Sequence, residues 1–286
     1  MDDGIKQNYE GKLRISILGG GYVGLVTAVC LAELGHRVDL VDIDKERCEL
    51  INAGEPPIYE SGLRELLSIH ACRSLHAYAS YDVIKGSDMT FICVGTPQGD
   101  DGSSDLSMVS SACASLGDSL KDKEEYHAVV VKSTVPPGTT ERLVIPSVLE
   151  HSGKDISEIG FAVNPEFLRE GMAIYDFMNP DRIVIGSLEE NAGDLVESVY
   201  RKINAPVVRT ALTSAEMIKY ASNAFLATKI SYANEIGNIC KRLGIDVYDV
   251  MKGIGLDHRI GPAFLNAGTG FGGSCLPKDL SALTAL

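Results

Sequence analysis

Residues 13–44, LRISILGGGYVGLVTAVCLAELGHRVDLVDID, constrain this chain more than any other stretch. An apolar run enters a glycine-rich turn, an apolar helical segment follows, Gly35 closes it, and RVDLVDID reads as a second strand. This is one βαβ unit. Gly19, Gly21 and Gly24 form a G-x-G-x-x-G pattern directly after the strand and directly before the helix. Such a turn needs glycine for the tight bend, for close approach of a pyrophosphate, and for helix–strand packing. The helix start offers N–H groups and a partial positive charge to phosphates. Asp42 ends the second strand about 20 residues on, where a carboxylate accepts from adenosine ribose hydroxyls. A dinucleotide site is the expectation, with a glycine turn of purely structural purpose as the alternative. Asp42 repels a 2′-phosphate and so favours NAD over NADP, while Lys45 and Arg47 nearby pull the other way.

Further short apolar runs recur as DMTFICVGTP, HAVVVKSTVPPG, GFAVNPEF and DRIVIGS, separated by helical or polar stretches. Alternating strands and helices predict an α/β, doubly wound, mostly parallel Rossmann-type sheet covered on both faces. The pattern changes near Pro206. TSAEMIKYASNAFLATKISYANEIGNICKRLGI reads as one long helix with Thr213 or Ser214 as its N-cap and Gly244 as its stop. Apolar residues fall nearly all round it, which predicts burial on several sides and a role as connector and homodimer interface. The expected organisation is a tail over 1–12, a dinucleotide-binding domain over 13–205 and a helical domain over 206–286.

A formal net charge of −13 argues against nucleic-acid or anionic-membrane partners. No apolar run reaches the roughly 20 residues that span a bilayer. The start MDDGIKQNYEGK is polar and acidic, unlike a signal peptide. Seven cysteines lack any CxxC pair, which fits a reducing cytoplasm, and Cys30, Cys93 and Cys240 sit in apolar stretches as small core residues. The six histidines show no metal-ligand spacing, so no metal site is expected.

Three groups of residues carry candidate chemistry. Thr96 in VGTP and Thr134 in KSTVPPG follow strong strands, where ligands gather in open parallel sheets. They equally read as turn residues ahead of proline. Glu216, Lys219 and Asn223 share one face of the long helix. An exposed Glu–Lys pair is the ordinary reading; on a buried helix these groups need partners, and a lysine beside a reacting oxygen stabilises an oxyanion. Finally, Gly268, Gly270, Gly272 and Gly273 lead to Cys275, followed by Lys278 and Asp279. Thiolate, not thiol, is the nucleophile, and a neighbouring lysine favours it. Asp279 could share a helical face with Cys275 and act as base on water. An inert cysteine in a glycine-rich loop is the alternative.

Taken together, GGGYVGL, DID, FICVGTP, STVPPGT, NPEFLREG, AEMIKYASNAFLATKISYANEI and GFGGSCLPKD, in this order, resemble the UDP-glucose/GDP-mannose dehydrogenase family from about residue 13 to the end. The resemblance implies oxidation of a nucleotide-sugar C6 alcohol to a carboxylate with two NAD per turnover. It implies Cys275 as the nucleophile that carries a thiohemiacetal and then a thioester, with Lys219 and Asn223 near the reacting oxygen. Asp279 would assist proton transfer, and Thr134 and Glu166 would lie on the water and nicotinamide side. Which of Lys219, Asp279 and Glu166 is the base at each step stays open, and Glu166 also reads as an acid at a helix start. Toward the cofactor it implies Gly19, Gly21, Tyr22, Val23 and Gly24, then Asp42, Lys45, Thr96, Thr134, Glu170 and Lys278. Toward the sugar and its phosphates it implies Phe167 to Glu170, including Leu168 and Arg169, with Lys219, Asn223, Phe264 and Gly272. Arg259 within RIGPAFLNAG resembles the UDP-glucose branch, where the arginine contributes to substrate binding, in some members across a dimer interface. GDP-mannose or another UDP-sugar is the alternative substrate. Members continue into a second Rossmann-like domain that holds the nucleotide, whereas this chain stops soon after Cys275; NAD binding with little dehydrogenase activity alone is the expectation. Two rival classes remain: a two-electron β-hydroxyacid dehydrogenase, which needs Lys219 and Asn223 but no cysteine, and a non-catalytic NAD-binding or dimerisation module.

Overall fold

The computed structural model describes residues 11–286, so most of the expected tail lies outside the described residues. The strands are β1 (Arg14–Leu18), β2 (Arg37–Val41), β3 (Leu75–Tyr78), β4 (Met89–Ile92), β5 (His127–Val131), β6 (Ile159–Val163), β7 (Ile183–Ser187) and β8 (Val207–Thr210). The helices are α1 (Tyr22–Glu33), α2 (Lys45–Asn52), α3 (Leu63–His70), α4 (Ser107–Leu120), α5 (Ile145–Ser152), α6 (Ala173–Met178), α7 (Glu190–Val199), α8 (Leu212–Leu243), α9 (Val247–Gly255) and α10 (Leu276–Thr284).

One sheet holds all eight strands in the order β3-β2-β1-β4-β5-β6-β7-β8. The first six run parallel, β7 pairs antiparallel with β6, and β8 runs parallel to β7. The doubly wound, mostly parallel expectation holds. β5 (HAVVV) and β6 (IGFAV) are buried at every position, as continuous apolar strands must be when helices cover both faces. Strand order reverses between β1 and β4, and the crevice outside their carboxyl ends is where such a sheet receives a ligand. β3 and β8 are short strands that apolar patterning alone did not mark. β8 lies beyond the compositional change at Pro206 and still pairs in the sheet.

By internal packing the chain forms two compact units. The first comprises 11–96 and Asp105–Met217; the second comprises Pro97–Ser104 and Ile218–Leu286. The second has its own small core of Ala233, Met251 and Leu265, with Ile236, Val247, Val250 and Ile254 packed against it. Within it, Ser104 and Gln98 hydrogen-bond to Tyr220 and Ser281, at 3.3 and 3.0 Å.

One expectation for the long helix needs correction. Neither Thr213 nor Ser214 is its N-cap, because the Ala215 N–H bonds the Ala211 carbonyl and the helix begins at Leu212. Buried Leu212 anchors that start, and Thr213 donates instead to Glu141 at 3.2 Å. One side of the helix stays open: Phe225, Tyr232, Ile239 and Leu243 are 64, 51, 47 and 67% exposed. Their spacings of two turns, two turns and one turn put them in a stripe along one side. Gly244 is the stop expected, at φ +68°, with the Ile245 N–H reaching back to the Cys240 carbonyl.

A buried histidine makes the fold sensitive to acid. His127 on β5 has Nδ1 at 3.0 Å from the Ser87 carbonyl and Nε2 at 2.8 Å from the Thr90 hydroxyl. A carbonyl only accepts, so Nδ1 carries the proton and Nε2 accepts from Thr90. Burial pushes the imidazole down to about 3. The unfolded ring takes up a proton below about 6.5, so this contribution is complete above that pH and disappears progressively toward the folded value. Between pH 7 and 5 the group should cost about 2 kcal/mol of stability. Urea unfolding across that range should show the loss, and His127→Gln, though less stable at pH 7, should show a slope shallower by one proton.

Candidate functional site

The glycine turn sits where β1 hands over to α1. Gly19 has φ +98°, and a Cβ there would lie 2.9 Å from the Cys93 carbonyl oxygen. A Cβ on Gly24 would lie 1.8 Å from the Gly19 carbonyl oxygen, so helix and turn pack backbone against backbone. Gly21 differs. Its φ of −71° suits any residue, and nothing stands within 4 Å of a Cβ built there. The fold does not require glycine at 21; the bare surface is room for something else. Gly21 caps α1 with no side-chain cap and no acid in the first turn, which leaves the positive end of the helix to an anion. Tyr22 and Val23, half-buried, are the first residues of that helix.

Asp42, buried at the end of β2, is locked in place. Its Oδ2 accepts from the Gly20 N–H at 2.5 Å and from Arg47 at 3.0 Å, and its Oδ1 accepts from the Asp44 N–H at 2.9 Å. Arg47 also reaches Asp44 at 3.6 Å, so its charge is taken up by two carboxylates. Lys45 is exposed at the head of α2. These residues fit a dinucleotide: an uncapped helix end with open space over Gly21, and a fixed acid at the neighbouring strand end.

At the ends of β4 and β5, Thr96 donates its hydroxyl to the Thr134 carbonyl at 2.8 Å, tying the two loops together. Glu216 is not part of a surface pair. It is buried and accepts from the N–H groups of Gly138 and Thr140 at 2.5 and 2.8 Å and from the Thr140 hydroxyl at 2.6 Å. Burial raises its pKa, and the three donors work against that. Glu166 is buried and accepts from the Leu168 N–H at 2.6 Å; no helix starts there, which removes the helix-start reading. Phe167 lies under the Arg182 guanidinium, 3.7 Å from its ring centre. Leu168 is half-buried, while Arg169 and Glu170 are exposed, with Arg169 forked onto Asp176 at 2.6 and 2.9 Å.

In the second unit Cys275 is exposed and caps α10, with Pro277 in the first turn. The Asp279 N–H bonds the Cys275 carbonyl at 2.9 Å, which places the aspartate one turn along, 2% exposed. Asp279 accepts from Asn223 Nδ2 and from Lys278 Nζ, each at 2.6 Å. Lys278 is thus paired with its immediate neighbour Asp279. Lys219 lies one turn before Asn223 on α8, and both are buried. Gly270 and Gly273 adopt positive φ, and nothing stands within 4 Å of a Cβ built on Gly268, Gly270, Gly272 or Gly273. Arg259 is exposed and forked onto Asp257 at 2.6 and 3.0 Å, on a loop whose Ile260 and Gly261 carbonyls are held by Lys229. Phe264 on the same loop has φ +63°.

Five of the other six cysteines are buried and so poor candidates for a nucleophile; the sixth, Cys72, is exposed, and its thiol donates to the Asn52 carbonyl at 3.4 Å. Burial pushes the thiols of Cys30, Cys93 and Cys113 up to about 12, and Cys48 and Cys240 are also buried. Sequence patterning missed Glu60, which is buried with both carboxylate oxygens occupied, and Lys132, which is buried and whose Nζ donates to the Asn164 side chain at 3.0 Å. Glu60 belongs to none of the motifs singled out, and Lys132, though it opens KSTVPPG, carries no sequence signal of burial. Among the described residues no group of histidines, cysteines and acids is arranged to hold a metal ion, and no helix is long and apolar enough to cross a membrane.

Residues 13–204 match the profile described as UDP-glucose/GDP-mannose dehydrogenase family, NAD binding domain, and residues 213–286 match that family's central domain. The chain is 48% identical over 279 residues to a UDP-glucose 6-dehydrogenase of Haloferax volcanii, covering 96% of this chain and 65% of that protein. It is 45% identical over 278 residues to a GDP-mannose 6-dehydrogenase of Pseudomonas aeruginosa, covering 95% and 64%. A solved UDP-glucose dehydrogenase from Pyrobaculum islandicum superposes with a TM-score of 0.94 at 47% identity, covering 99% of this chain and 65% of that one. The chain therefore spans less than two thirds of the length of each of these relatives.

The contrast between two glycines of the turn is testable without any ligand. Gly24→Ala forces backbone apart and should cost about 1–3 kcal/mol, whereas Gly21→Ala should change stability by less than about 0.5 kcal/mol. Urea midpoints of the two variants measure this; equal losses would contradict the assignment of Gly24 to packing and Gly21 to a ligand.

Proposed function

The chain belongs to the UDP-glucose/GDP-mannose dehydrogenase family, and on that premise we propose that it serves the NAD-dependent oxidation of a nucleotide-sugar C6 alcohol to the uronate, with UDP-glucose as the sugar. The observation that carries this is the exposed Cys275 at the head of α10, one turn from a buried Asp279 that Asn223 and Lys278 hold at 2.6 Å each. Cys72 is exposed as well, but its thiol is taken up by the Asn52 carbonyl at 3.4 Å; what singles out Cys275 is exposure together with the Asp279, Asn223 and Lys278 cluster one turn away.

Bound NAD+ supplies what side chains lack, a hydride acceptor, used twice per product. The helix end at Gly21–Val23 would take its diphosphate, and Asp42 its adenosine ribose. Asp42 and Asp44 outweigh Arg47 there, which disfavours a 2′-phosphate. The protein's own part is proton and carbon chemistry. Lys219 and Asn223 are assigned to the substrate oxygen, where a cation and an amide stabilise developing negative charge. The first oxidation leaves an aldehyde. The Cys275 sulfur adds to its carbon to give a thiohemiacetal, whose loss of a second hydride and a proton gives a thioester. Water adds to that carbonyl, the carbon–sulfur bond breaks, and the thiol and the carboxylate leave. Asp279 is assigned to proton transfer, held by Asn223 and by the charge of Lys278, and Thr134 and Glu166 to water and nicotinamide. Phe167, Leu168, Arg169, Glu170 and Gly272 are assigned to the sugar side. Arg259 and Phe264, on the HRIGPAFLNAG loop that resembles the UDP-glucose branch, are assigned there too.

The apolar stripe on α8 favours a homodimer. Four large side chains spaced along one helix face, each about half exposed or more, form the kind of surface that a second copy of the same helix covers. Phe225→Glu should shift the chain to monomer in sedimentation equilibrium; an unchanged mass would count against the helix as interface.

A nucleotide-sugar panel with NAD+, run on the chain together with its natural C-terminal continuation, tests the reaction, counting NADH per product. The expected result is two NADH per uronate from UDP-glucose, and no uronate from Cys275→Ala, with NADH affinity unchanged. One NADH per product, or full uronate yield from Cys275→Ala, would contradict the thiol mechanism and favour the β-hydroxyacid class. Gly21→Ala, benign to the fold, should weaken NADH binding.

A further inference from the structure

Glu60 connects two stretches of the first unit that no strand or motif joins. It lies between α2 and α3, 5% exposed. One of its carboxylate oxygens accepts from the Tyr22 phenol and from the Gly171 N–H at 2.9 Å; the other accepts from the Ala173 N–H at 3.0 Å. The Gly171 N–H also lies 3.2 Å from the Tyr22 oxygen. A phenol O–H and two backbone N–H groups are all donors, so the carboxylate acts only as an acceptor, which makes burying it tolerable.

The two stretches are the ones the proposed chemistry uses. Tyr22 is the first residue of α1 and stands inside the glycine turn, so its backbone serves the dinucleotide while its side chain serves Glu60. Gly171 is the last residue of the NPEFLREG segment, which carries Glu166 through Glu170, and Ala173 lies two residues beyond it. Burial and then the Glu60 hydrogen bond push the Tyr22 phenol upward, and the charge of Glu170 adds to this, so that acid too is near the phenol.

Resting on the reading that the glycine turn takes NAD, we propose that Glu60 is a positioning residue that couples the turn to residues 169–173. Fixing the backbone of Tyr22 under a dinucleotide removes freedom that the Tyr22–Glu60 contact would otherwise have to remove. The order of 169–173 then costs less once the dinucleotide is bound. Coupling of this kind is reciprocal, so breaking the contact must weaken dinucleotide binding by the factor it loosens the segment.

Hydrogen exchange of peptides covering 169–176, read with and without saturating NAD+ beside an NADH fluorescence titration, tests this. In the wild type NAD+ should slow exchange there about fivefold or more. Tyr22→Phe keeps the ring, should abolish that slowing, and should weaken NADH binding by a similar factor. Glu60→Gln should raise exchange at 169–176 even without NAD+, because an amide presents a donor to one of the three donors; Glu60→Asp should recover part of the slowing. A merely structural Glu60 would lower the urea midpoint and leave the NAD+-dependent difference intact, which would overturn the proposal, as would full slowing in Tyr22→Phe. Binding of NADH by the wild type with no change at 169–176 would overturn the coupling alone. No binding by the wild type would overturn the reading of the site and the coupling with it.

Discussion

The close approach of α1 to the turn that precedes it sets the terms for the first unit. Gly24 lets the helix backbone lie against the Gly19 carbonyl, where no side chain fits, and Gly19 in turn lies against the carbonyl of Cys93 at the end of β4. These contacts fix the start of α1 at the point where strand order reverses. An uncapped helix end is costly when buried without partners and useful when a ligand supplies them. Packing of the two glycines and exposure of the third are therefore one design: two hold the helix end in place and one keeps it open.

Buried carboxylates do a similar job at four other places. Asp42 collects the Gly20 and Asp44 N–H groups, Glu60 those of Gly171 and Ala173, and Glu216 those of Gly138 and Thr140. Asp279 collects an amide and an ammonium. Each acid fixes loop backbone, or the side chains facing it, through donors that would otherwise be left without partners. Loops carry the candidate chemistry here, and these acids explain how loops hold a defined shape without regular structure.

Much of this was legible in the sequence, for physical reasons. Strand β1, the glycine turn and α1 are local, and their residues report their own conformation. β4 to β7 are continuous apolar runs. Gly244 ended α8 because only glycine readily takes its positive φ. What failed depended on distant partners. β3 and β8 are four-residue strands whose assignment rests on the neighbours they pair with. The bond from Asn223 to Asp279 spans 56 positions, and that from Tyr22 to Glu60 spans 38.

The central claim is that the backbone at the start of α1 receives a dinucleotide. Amide chemical shifts of the 15N-labelled chain, followed through a titration with NAD+, test it most directly. The account predicts that the amides of Gly21, Tyr22 and Val23 move the most and titrate together with the residues next to Asp42. Binding that leaves those three amides unmoved, with the changes centred elsewhere in the chain, would contradict it.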